Sequence, residues 1–94
     1  MTGPAGSGEA AASAEVVFFH APGCHLCQEA FEVVEAAQRE LGFPLRLVDV
    51  EQDAELERRY RALLPVVEIG GEIAFTYFVH PDALRTSLRA RSVR

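Results

Sequence analysis

Lysine is absent from this 94-residue chain, and cysteine occurs only twice. Without lysine, no side-chain amine can form a Schiff base. Two cysteines are too few for a disulfide framework. Cations are scarce as a class: nine, all arginine, against 14 carboxylates, for a net charge of −5 at pH 7. A nucleic-acid binder needs a basic surface to meet phosphate, so the balance argues against that partner. No apolar run approaches the ~20 residues of a membrane-spanning helix, and no membrane partner is expected. No Lys or Arg precedes Arg39, and residues 2–14 are Gly, Ala, Ser, Thr, Pro and one Glu. The basic start and apolar stretch of a secretory signal are therefore both missing. The expected setting is the reducing cytoplasm, where a cysteine pair is usually catalytic or metal-binding.

What is present suits one globular domain: 49% of residues are hydrophobic and 24% charged. Residues 1–14 read as a flexible tail with nothing to bury, and residues 15–94 as the domain. Val16-Val17-Phe18-Phe19 is a continuous apolar run of β-formers, the pattern of a central strand buried on both faces. Pro22-Gly23 breaks it. From about Cys24, residues Cys27, Ala30, Phe31, Val34, Ala37 and Leu41 recur at helical spacing as one apolar stripe. Gln28, Glu29, Glu32, Glu35 and Arg39 face outward, and the early acids suit the positive end of the helix dipole. Gly42 and Pro44 end the helix.

Leu45 to Val50 reads as a second strand, parallel to the first, with Asp49 capping its end. Asp53 caps a second helix, Ala54 to about Ala62, with Leu56, Tyr60 and Leu63 inward. Pro65 follows, and Leu64 before it must be extended. Val66 to Ile69 is a strand, Gly70-Gly71 a tight hairpin, and Glu72 to about Phe78 the return strand. Phe75, Tyr77 and Phe78 are expected to cover the sheet edge. Pro81 opens a last helix with Leu84 and Leu88 inward. The order β-α-β-α-β-β-α predicts an α/β fold: a four-stranded mixed sheet, order 2-1-3-4, flanked by helices.

The chemistry concentrates in Cys24-His25-Leu26-Cys27. At i,i+3 on a helix turn, two sulfurs come within bonding reach. The first thiol sits at the helix N-terminus, where unpaired N–H groups and the dipole favour a thiolate. The second lies on the buried stripe and should stay protonated. That asymmetry makes an attacking and a resolving thiol. Two blander readings remain: a pair of core cysteines, or a metal site. A Cys₂His₂ zinc site fits poorly, because His20 and His25 flank the same turn and His80 is isolated. His25 can support the thiolate when protonated, or stand as an exposed residue of the first turn. His20 closes the strand. The peptide bond before Pro65, taken alone, is an ordinary trans bond ending the second helix.

Phe19 to Cys27, FHAPGCHLC, resembles the active-site segment of glutaredoxin-like members of the thioredoxin fold. Leu64-Pro65-Val66-Val67 resembles the segment of that fold in which a cis-proline faces the cysteine pair. The core from Val16 to Leu88 follows the family's element order, closest to its divergent bacterial group. The resemblance implies that Cys24 is the nucleophile, that Cys27 resolves, and that the Leu64–Pro65 bond is cis. Glutaredoxins usually carry a Gly-Gly-Asp before the last helix; this chain has Phe75 to Asp82 there, leaving Asp82 as a glutathione contact. His20 stands near the place of a common lysine, and Val66 follows the cis-proline, so both are candidate substrate contacts.

The expected function is thiol–disulfide oxidoreduction through a mixed disulfide, performed by a monomer. Substrates are disulfides of proteins or small thiols. No cofactor is held permanently and no metal is expected; an external thiol, with glutathione as a candidate, supplies electrons. The alternatives are a zinc or iron–sulfur binding module using the same cysteines, or a protein-interaction module without redox turnover.

Overall fold

The computed structural model describes residues 15–92; the tail expected over 1–14 lies outside the described residues, as do Val93 and Arg94. Strand β1 (Val16–His20) leads to helix α1 (His25–Leu41), then strand β2 (Leu45–Asp49). A 3₁₀ turn, Val50–Gln52, precedes α2 (Ala54–Tyr60), and a second, Arg61–Leu63, follows it. Strands β3 (Val66–Ile69) and β4 (Glu72–Thr76) form a hairpin before α3 (Pro81–Ser92). The sheet order is β2-β1-β3-β4. Strand β1 runs parallel to β2 and antiparallel to β3. This is the α/β architecture and strand order expected from the sequence.

The central strand is apolar because both its faces are covered. Successive side chains of a strand alternate between faces. Phe18 turns to the face carrying α1, where it meets Phe31 at a ring distance of 5.8 Å. Phe19 turns to the other face and meets Tyr60 of α2 at 4.7 Å. Helix α1 buries Cys27, Ala30, Val34 and Ala37, the middle of its predicted stripe. Helices α1 and α3 are joined by Glu40, which accepts hydrogen bonds from Arg85 at 2.8 Å and Arg89 at 3.3 Å. Leu84 and Leu88 of α3 are buried as expected.

The caps follow local chemistry. Asp53 Oδ1 accepts from the N–H groups of Glu55 and Leu56, two donors that the start of α2 would otherwise leave unpaired. Asp49 Oδ1 accepts from Glu51 N at 2.9 Å, closing the end of β2. Gly42 ends α1 in the left-handed region, φ 76°, with its N–H on Gln38 O.

Three local expectations need correction. The first turn of α1 contains no acid; Glu29 and Glu32 lie further in, where the dipole interaction fades. Helix α2 stops at Tyr60 rather than Ala62 and tightens to 3₁₀ geometry, since Leu64 before Pro65 must leave the helical region (ψ 144°). Strand β4 stops at Thr76 rather than Phe78. There Tyr77 takes φ 69°, and its N–H binds Pro65 O at 3.0 Å. Tyr77 and Phe78 are consequently exposed and do not cover the sheet edge, whereas Phe75 packs against the core.

Candidate active site

Ala21-Pro22-Gly23 carries the chain from β1 into α1, with Gly23 at φ 77°. Gly is suited to this left-handed turn because it lacks a Cβ. The turn delivers Cys24 to the N-cap of α1 with extended backbone angles, φ −91° and ψ 104°. Its Sγ accepts the backbone N–H of Cys27 at 3.1 Å, taking the place that a serine or aspartate oxygen commonly fills. The first N–H groups of a helix have no intrahelical partner and carry the positive end of its dipole. An anion at Cys24 Sγ therefore meets a donor already in position.

Cys24 and Cys27 form a disulfide across this turn, with Cα atoms 5.2 Å apart. The two sulfurs are not equivalent. Cys24 is half-buried, while Cys27 is 3% exposed and belongs to the core stripe. An incoming group can reach the first sulfur and is shielded from the second.

The sheet register locates the other candidates. Val66 is the partner of Phe19, so Leu64 and Pro65 lie at the end of the sheet where β1 leaves for the cysteine turn. The Leu64–Pro65 peptide bond is cis. Leu64 and Pro65 are buried, and Val66 is fully buried, so Val66 presents no surface to a substrate in this structure. His20 is half-buried with its ring stacked 6.0 Å from that of Phe18. His25 is the exposed first residue of α1. Asp82 is exposed in the first turn of α3 and accepts from Arg85 at 3.4 Å.

Beside the disulfide lies an open groove of about 250 Å³, lined by Phe18, His20, Ala21, Cys24, Cys27, Gln28, Phe31 and Leu47. It brings His20 together with both cysteines; Val66 and Asp82 do not line it. Sequence reasoning missed Leu47 and Gln28 as site residues. Leu47 faces the groove because β2 pairs it with Phe18, a register that no neighbouring residue announces. Gln28 could have been found: it follows Cys24 by four positions, one helical turn on the same face.

Among the described residues, no group of three or more His, Cys, Asp or Glu is placed to hold a metal ion. Among them, too, no helix is long and apolar enough to cross a membrane.

Comparison with known proteins bears on this site. Residues 15–89 match the family model described as Glutaredoxin-like domain (DUF836). No curated protein matches the chain significantly. Among solved structures, a protein of Nitrosomonas europaea is 23% identical with a TM-score of 0.67, over 80% of this chain and 91% of that one. A protein of X. campestris is 26% identical with a TM-score of 0.66, over 80% and 96%. A variant thioredoxin of Halobacterium salinarum is 22% identical with a TM-score of 0.66, over 87% and 77%. The glutaredoxin-like family match, with a cysteine pair bonded across the first helical turn, supports a thiol–disulfide oxidoreductase-like role. With most of its length matched by the family model and the same fold in these structures, the chain belongs to the glutaredoxin-like domain family.

Proposed function

We propose that this protein reduces disulfides, with Cys24 as nucleophile and Cys27 as resolving thiol. The observation that carries this reading is the difference between the two sulfurs: one is accessible and accepts a helix N-terminal N–H, the other is buried one turn away. The Cys24 thiolate attacks one sulfur of a substrate disulfide and the other leaves as a thiolate. Cys27 then gives up its proton and attacks Cys24 Sγ. The Cys24–Cys27 bond forms, the mixed disulfide breaks, and the second substrate thiolate leaves and takes up a proton. An external thiol donor returns two electrons and two protons to the pair. The two sulfurs hold the electron pair themselves, so the cycle uses no permanently bound cofactor.

The test is trapping. Cys27→Ser retains the attacking thiol and is expected to accumulate a mixed disulfide with a model disulfide, seen as a mass increase that dithiothreitol removes. Cys24→Ser is expected to exchange at the uncatalysed rate. Reduced wild type that exchanges no faster than free cysteine at the same pH overturns the proposal.

A further inference from the structure

We propose that the groove beside the disulfide is a substrate subsite for a large apolar side chain next to the substrate's cysteine, so that the protein prefers apolar polypeptide disulfides to glutathione disulfide. This deepens, and rests on, the oxidoreductase role proposed above.

Position is the first ground. Both cysteines line the groove, with Cys24 the more exposed of the two. A substrate sulfur bonded to Cys24 therefore holds its own neighbours over it. Size is the second. At about 250 Å³ the groove falls below the ~300–1,000 Å³ of sites that enclose a whole small ligand. It suits one large side chain rather than a complete cofactor. Chemistry is the third. Its walls are Phe18, Ala21, Phe31 and Leu47, and its polar members are His20 and Gln28. Leu47 is 50% exposed, an apolar surface that a bound side chain would remove from water.

Charge excludes the competitor. Glutathione carries carboxylates at both ends, and no arginine lines the groove. Arg46, the arginine nearest in sequence to Leu47, is engaged by Glu15 at 3.2 Å. The chain's net charge of −5 also opposes the approach of an anionic disulfide. A neutral, apolar substrate meets neither obstacle.

The test uses the reduced full-length protein and symmetrical disulfides of short neutral peptides, with Phe or Ser before the cysteine, beside glutathione disulfide. Exchange rates are read by acid quenching and mass spectrometry. The Phe peptide is expected to react about tenfold faster than the Ser peptide, equivalent to ~1.4 kcal/mol, and faster than glutathione disulfide. Leu47→Glu is expected to remove this preference, so that the ratio of the Phe peptide's rate to the Ser peptide's falls to about one. A circular dichroism spectrum and melting curve matching wild type show the variant to be folded, and Leu47→Ser, which adds no charge, is the milder second variant. Equal rates for the two peptides, a preference that survives both Leu47 variants, or glutathione disulfide as the fastest partner would each overturn the subsite while leaving the oxidoreductase role standing. Absence of exchange with every disulfide would remove that role, and the subsite with it.

Discussion

Tyr60 works in two environments at once. Its ring lies against Phe19 in the core, and its hydroxyl donates to Glu68 at 2.7 Å. Burial disfavours the phenolate, and the Glu68 carboxylate beside the hydroxyl does the same, so the tyrosine ionises above its usual range. Arg59 over the ring offsets part of this. The folded state thus binds the phenolic proton more tightly than the unfolded chain. The resulting stability is full below the ordinary tyrosine range and is lost as pH rises through the folded value. Tyr60→Phe keeps the ring contact and removes the hydroxyl. It is expected to cost about 1–2 kcal/mol at neutral pH by urea denaturation, because a charge-assisted hydrogen bond is lost. The gap between variant and wild type should then narrow in alkaline solution. A gap that stays constant with pH would separate Tyr60 from the alkaline limb.

At the scale of the element, α1 is specified at both ends by single residues of opposite use. Cys24 caps the start with its sulfur, and Gly42 ends the helix through a backbone angle that side chains resist. A Cβ at Gly42 would meet no atom within 4 Å, so crowding contributes nothing to its replacement. Gly42→Ala is therefore expected to cost only the left-handed backbone penalty, about 1–2 kcal/mol, measured by thermal or chemical denaturation. Disulfide exchange should be unchanged, since the substitution lies at the far end of the helix from Cys24. A much larger loss of stability would mean that the C-cap does more than reverse the chain.

In the molecule as a whole, α1 and α3 share one face of the sheet, and Glu40 ties them through Arg85 and Arg89. The hydrogen bond from Arg85 is the main cause holding the Glu40 carboxyl below its usual range; the nearby arginine charges add to it and partial desolvation opposes it. A depressed folded value means stability that is present above the ordinary carboxylate range and lost as pH falls through the folded value. The pair is exposed to solvent, so salt screens it. Glu40→Gln should lower the melting temperature at neutral pH and low salt. The difference should close both in acid and in concentrated salt. A difference unaffected by either would show that packing, not charge, joins the helices.

Features set by residues close in the chain were legible before any coordinates. The stripe of α1, the Asp53 cap, the Gly70-Gly71 hairpin and the CxxC at a strand-to-helix turn each depend on a few consecutive residues, whose spacing and backbone preferences act locally. The strand order followed from the parallel unit and the hairpin together. The groove did not follow. It exists because β2 pairs Leu47 with Phe18, bringing together residues from β1, α1 and β2. Pairing of β3 with β1 likewise sets Val66 opposite Phe19, where it is fully buried, while His20 stays half-buried on the groove that the cysteines also line. Even the early end of β4 rests on such a contact, the Tyr77 N–H on Pro65 O. Register between distant strands arises only when the whole sheet closes on one core, and local periodicity carries no record of it.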